Sequence, residues 1–108
     1  MEFTTGSGNV FDDLGLLEPE NRLAKARVAY RIYEVIASSG LTQAQAAIRT
    51  KITQPNISDI TRGKLRGFTL ERLFQCLNAL GQDVEIVIRP KQPDADGAVT
   101  RVSIAHSG

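Results

Sequence analysis

The sequence predicts a mainly α-helical domain of four to five helices with a C-terminal β-strand or β-hairpin. Three observations carry this expectation. Apolar residues recur at helical spacing through four segments between residues 19 and 80. Glycines stand where three of those segments stop, at Gly40, Gly63 and Gly81. Beyond Gly81 the period shortens to two, with Val84, Ile86 and Ile88 alternating with Glu85, Val87 and Arg89.

A chain of 108 residues fits one small domain with flanking tails. Its single cysteine, Cys76, has no CxxC or Cys/His companion, so no disulfide framework or zinc site is expected within the chain. That usage fits a reducing cytoplasm. No apolar run approaches a membrane span, and the N-terminus lacks the basic and apolar regions of a secretion signal. Neither cofactor nor metal is expected. The net charge of +1 hides an uneven distribution. Residues 1–20 carry five acids and no base, residues 21–40 four bases and one acid, and residues 41–80 six bases and two acids. A basic middle behind an acidic arm suits a polyanionic partner, although charge alone describes a solvated face equally well.

Along the chain, residues 1–8 read as a disordered start, and residues 9–81 as the main domain. Gly6-Ser7-Gly8 has no preceding strand and is no nucleotide loop. Residues 9–17 hold Val10, Phe11, Leu14, Leu16 and Leu17, apolar enough to pack on something but too short to stand alone. The first helix is expected over residues 19–39. Pro19 suits its first turn, and Leu23, Val28, Ile32, Val35 and Ile36 form its apolar stripe, with Ala24 and Ala29 beside it. The second helix spans residues 42–50, opened by a capping box between Thr42 and Gln45. The third spans residues 54–62, and Pro55 disfavours helical geometry at Gln54, which predicts a start one residue later. The fourth, over residues 69–80, is capped by Thr69 and buries Leu70, Leu73, Phe74, Leu77 and Leu80, with Cys76 as a packed thiol beside them. Residues 82–108 form the C-terminal strand or hairpin and tail. The first strand covers residues 84–89 and a weaker second one residues 99–104.

Residues 41–64, LTQAQAAIRTKITQPNISDITRGK, place two short helices around a turn of three or four residues. Ala44, Ala47 and Ile48 are expected to face inward from the first and Ile57 and Ile60 from the second, with Ile52 plugging the turn. This is a helix-turn-helix, whose second helix stands proud to enter the major groove of double-stranded DNA. The outward face of that helix holds Gln54, Asn56, Ser58, Asp59, Thr61 and Arg62. Glutamine and asparagine can contact adenine bidentately and arginine guanine, so Gln54, Asn56, Ser58, Asp59 and Arg62 are the base-reading candidates. The face carries no Glu or Lys, the usual filler of a solvated helix. Basic residues flank it. Arg49, Lys51, Lys64 and Arg66, with Thr53 at the start of the helix, are phosphate-binding candidates.

These segments resemble a known family. LTQAQAA, TQPNIS and ITRGK look like the XRE-type helix-turn-helix of phage repressors, a lambda-repressor-like fold. GFTLERLFQCLNALGQDVEIVIRP, with NVFDDLGL near the start, narrows the resemblance to the HigA-like antitoxin subfamily, over residues 9–104. The resemblance implies that Gln43 anchors a phosphate, that Gln54 and Asp59 read bases, that Asn56 lies at the interface and that Lys64 contacts the backbone. There are departures. Lys51 stands where the family has glycine; a left-handed conformation there costs roughly 1 kcal/mol while presenting a charge to phosphate. Asp59 repels phosphate but can accept from a cytosine amino group.

The function implied is a sequence-specific DNA-binding transcriptional regulator, the antitoxin of a type II toxin–antitoxin pair that represses its own operon. The alternative is a stand-alone XRE-type repressor. Such proteins pair two half-sites about one DNA turn (~34 Å) apart, so a homodimer on a palindromic operator is expected. Val84, Ile86 and Ile88 are its candidate contacts, unless the hairpin folds back on its own helices. The resemblance also implies a small ribonuclease toxin of the RelE/HigB type as partner. The acidic arm at residues 9–20 suits a basic toxin; equally, Phe11 and its neighbours could cap the chain's own core. Catalysis is not expected. His106 sits in the tail, Cys76 has no base near it in sequence, and Asp12, Asp13, Asp94 and Asp96 lack partners. A helical interaction module that never touches DNA is disfavoured by the basic flanks.

Overall fold

The computed structural model describes residues 18–87 and residue 90; the expectations for residues 1–17, 88, 89 and 91–108 lie outside it. Four helices are described: α1 (Glu18–Ser38), α2 (Gln43–Thr50), α3 (Gln54–Thr61) and α4 (Leu70–Ala79). The long α1 is the backing against which α3 and α4 pack, while α2 lies mainly on α3 and touches α4 more lightly.

Local chemistry sets the helix ends. Three threonines start α2, α3 and α4: the hydroxyls of Thr42, Thr53 and Thr69 accept from the backbone N–H of Gln45, Asn56 and Arg72 at 3.1, 3.4 and 3.1 Å. Each such cap stabilises a helix by about 1 kcal/mol. At Thr42 the box closes, because the Gln45 side chain accepts from the Thr42 N–H at 2.9 Å. Three glycines with positive φ end α1, α3 and α4, at Gly40, Gly63 and Gly81. At each, the residue after the glycine reaches back to a carbonyl of the last turn: Leu41 to Ile36 at 3.2 Å, Lys64 to Asp59 at 2.8 Å, Gln82 to Leu77 at 2.9 Å. These are Schellman closures, which satisfy carbonyls the helix itself leaves unpaired.

Pro55 is accommodated at the start of α3. The helix begins at Gln54 with Thr53 as its cap, and the proline lies inside the first turn, where its missing N–H is one the helix would leave unpaired anyway.

The core is formed by Val28 and Ile32 of α1, Ile57 and Ile60 of α3, and Leu73 and Cys76 of α4, all almost wholly buried. Ile52 and Phe68 close it from the loops. Two helices depart from the expected pattern, α1 at a single residue and α2 over its face. In α1 the buried set is Ala24, Val28, Ala29, Ile32, Val35 and Ile36, whereas Leu23 is 55% exposed. Leu23 precedes Val28 by five residues, which at 3.6 residues per turn places it on the far side. In α2, Ala46 is wholly buried and Ala47 half-buried, while Ala44 is exposed and Ile48 is 80% exposed. The capping box explains this phase. With Thr42 as cap, Leu41 precedes the cap and Ala46 is the fourth helical residue, the two positions that meet in a hydrophobic staple. Leu41 does pack against the core cluster. A methyl group at Ala46 then lets α2 approach closely.

In α4 the buried stripe is Leu70, Leu73, Cys76 and Leu77, with Phe74 partly buried and Leu80 buried just beyond the last turn. Burial pushes the Cys76 thiol up to about 11, against a smaller lowering by Arg72. It is therefore a protonated packing group at neutral pH. Phe68 was missing from the expected core; it is buried under the Arg72 guanidinium, 5.3 Å from its ring centre.

Residues 82–87 are irregular, and no strand occurs among the described residues. The pairing partner expected at residues 99–104 lies outside them. Val84 packs partly against the core, and Gln82 is tied to α1 by a 3.3 Å hydrogen bond from Arg31. No helix among the described residues is long and apolar enough to cross a membrane, and no group of metal-binding side chains is found among them.

Candidate nucleic-acid interface

The turn between α2 and α3 is short because one hydroxyl serves both sides of it. Thr50 Oγ1 donates to the Ala46 carbonyl at 2.8 Å and accepts from the Ile52 N–H at 3.3 Å. Between them Lys51 adopts the left-handed conformation, φ 60° and ψ 27°, the one non-glycine residue to do so among the described residues. Ile52 then turns inward and Thr53 caps α3. With Ile57 and Ile60 locked beneath it, α3 has one orientation relative to α2.

The outer face follows from that anchoring. Gln54 and Arg62 are exposed, and Asn56, Ser58 and Asp59 are half-buried. Arg62 and Asp59 hold each other: Nη2 lies 3.2 Å from Oδ1, and Nε donates to the Ser58 carbonyl at 3.4 Å. Two base-reading candidates are thus paired in the free protein. An exposed pair of this kind contributes about 0–1 kcal/mol, so a base edge can replace it.

The phosphate-binding candidates occupy both ends of α3. Arg49 and Lys51 precede it, Lys64 and Arg66 follow it, and all four are exposed. Gln43 is exposed at the start of α2, where its Nε2 donates to Thr61 Oγ1 at 3.4 Å and bridges α2 to the end of α3. Thr61 in turn donates to the Ser58 carbonyl at 2.9 Å. The Thr53 hydroxyl accepts from Asn56, which leaves its own proton available to donate. Ile48 is the surface residue sequence reasoning missed. It lies with Leu41, Gln45 and Arg49 around a shallow depression on α2. The signal was the Thr42–Gln45 box, which fixes the phase of the helix. Of the dimerisation candidates, Val84 is half-buried, Ile86 is 54% exposed, and Ile88 lies outside the described residues.

Lys51 gives a direct test of the turn. Glycine adopts this conformation without the roughly 1 kcal/mol that a side chain costs, offset in part by its larger unfolded-state entropy. Lys51→Gly is expected to raise the urea midpoint slightly while weakening DNA binding alike on all sequences. A loss of stability would show that the lysine side chain supports the turn.

A short helix, a tight turn and a second helix with a polar, basically flanked outer face define a helix-turn-helix protein. The description "Helix-turn-helix domain" belongs to the family model that matches residues 10–89. A Mycobacterium tuberculosis protein named "Putative antitoxin HigA2" is 33% identical over 86 residues, covering 71% of this chain and 85% of that protein. A solved structure named "Putative XRE Family Transcriptional Regulator" superposes with a TM-score of 0.73 at 46% identity, over 84% of this chain and all of that one. The chain belongs to the helix-turn-helix domain family, in the XRE-type group that includes the HigA-like antitoxins.

Proposed function

We propose that the chain is a transcriptional regulator that binds double-stranded DNA sequence-specifically, inserting α3 into the major groove. One observation carries this reading. The outer face of α3 is polar and accessible over a wholly buried inner face, and exposed cations stand at both of its ends. Gln54, Asn56, Ser58, Asp59 and Arg62 address base edges. Gln43, Arg49, Lys51, Thr53, Lys64 and Arg66 hold the backbone. The test is binding to DNA from the gene's own promoter. Gln54→Ala is expected to relax preference at one base pair by about 1–3 kcal/mol, and Lys64→Ala to weaken all sequences alike. Failure of the intact protein to distinguish that promoter from unrelated DNA would end the reading.

The similarity to HigA2 supports a biological setting for it. The chain acts as the antitoxin of a type II pair, repressing its own operon and binding a small ribonuclease toxin of the RelE/HigB type. Co-expression with the neighbouring reading frame checks this: a toxic small basic protein that co-purifies and loses toxicity is expected. The regulator is a twofold homodimer, with Val84, Ile86 and Ile88 contributing to its interface. Ile86 and Val87 are 54% and 58% exposed, and exposed apolar side chains in irregular backbone suit pairing with a second copy. Deleting residues 82–108 is expected to yield a monomer in sedimentation equilibrium; a surviving dimer would place the interface elsewhere.

A further inference from the structure

Helix α1 is apolar on two opposite sides. One side is the core face already described. The other carries Leu23, Tyr30 and Tyr33, which are 55%, 62% and 47% exposed, with exposed Ala26 and Ala37. These five positions follow spacings of three and four, a continuous stripe on a helix. The two tyrosine rings lie 6.1 Å apart along it. Arg22 and Lys25 lie on the same N-terminal half of the helix.

We infer that this stripe is the docking site of the chain's own N-terminal segment, residues 10–17. Three features of the sequence and the helix meet here. The segment VFDDLGLL carries five apolar residues, two acids and no base, and α1 offers Arg22 and Lys25 beside the stripe, whereas its Arg31 is paired with Glu34 and its acids include Glu20. The segment ends where α1 begins, at Glu18. Its eight residues reach at most about 26–29 Å extended, while Tyr33 lies about 22 Å along the helix from its start. A chain that spends about three residues reversing at the helix start still runs about 16 Å back along it, past Leu23 and Ala26 to the neighbourhood of Tyr30. A second copy is the weaker occupant. Pairing with a second copy costs an association entropy of about 4–15 kcal/mol that a tethered segment avoids.

The chain contains two tyrosines and no tryptophan, so its intrinsic fluorescence reports on this stripe. Acrylamide quenching of the full chain is expected to be weak and independent of protein concentration. Phe11→Ser with Leu14→Ser is expected to raise the quenching constant about twofold, as half-exposed rings lose a cover, with the helical circular dichroism unchanged. Equal quenching in both proteins would overturn the proposal, and so would protection lost on dilution, which would identify a second copy. A Phe11→Cys/Tyr30→Cys pair provides a measurement that leaves the apolar segment otherwise intact. Buried Cys76 stays out of the exchange because its thiol is protonated. A disulfide within the monomer is expected on mild oxidation; cross-linked dimers, or no disulfide, would overturn the proposal.

Discussion

Raising the salt concentration from ~50 to ~200 mM is expected to weaken DNA binding by the proposed dimer by about three to five orders of magnitude, as for proteins that make 6–10 phosphate contacts. The estimate rests on Arg49, Lys51, Lys64 and Arg66, exposed on each protomer at the two ends of α3. Four cations per protomer give a slope of log affinity against log salt of about −7 for a dimer and about half that for a monomer. Fluorescence anisotropy with a labelled duplex measures it, and the slope reads the assembly state as well as the binding mode. A slope near zero would mean that these cations do not meet phosphates.

The second large effect is on stability. Ile57→Ala removes a side chain with no exposed surface from the inner face of α3. Such truncations cost about 2–5 kcal/mol, a large share of the ~5–15 kcal/mol that holds a small domain together. Thermal unfolding is expected to shift down by roughly 4–8 °C per kcal/mol. Ile48→Ala makes the informative contrast. The same deletion at a position 80% exposed is expected to change stability by less than about 0.5 kcal/mol. Comparable losses at both sites would show that α2 packs through the face the sequence first pointed to.

That contrast shows where the sequence was legible. Helix ends were, because they are local: Thr42 with Gln45, and glycines at 40, 63 and 81, each act on their own turn. The left-handed Lys51 was legible as a departure from a glycine position. Faces were harder. Eight residues of α2 contain three alanines and one isoleucine, too few apolar groups to fix a phase by periodicity; the capping box fixes it instead. Leu23 misled because α1 is apolar on both sides. Phe68 lies in a loop, outside any periodic run, so nothing local marks it as core. The expected C-terminal strand is not formed over residues 82–87, because a strand needs a pairing partner that no local pattern supplies.

The Asp59–Arg62 ion pair has a consequence for target search in the proposed binding mode. The carboxylate is an internal rival for the guanidinium, 3.2 Å away on the same helix. On DNA without a matching acceptor, Arg62 gains little by leaving it, and the paired side chains present almost no net charge to the groove. On a site with a guanine in register, the arginine exchanges its aspartate for a bidentate contact. In that mode the flanking cations carry the grip on random DNA, and Arg62 turns to the bases at the small cost of leaving its own aspartate, about 0–1 kcal/mol.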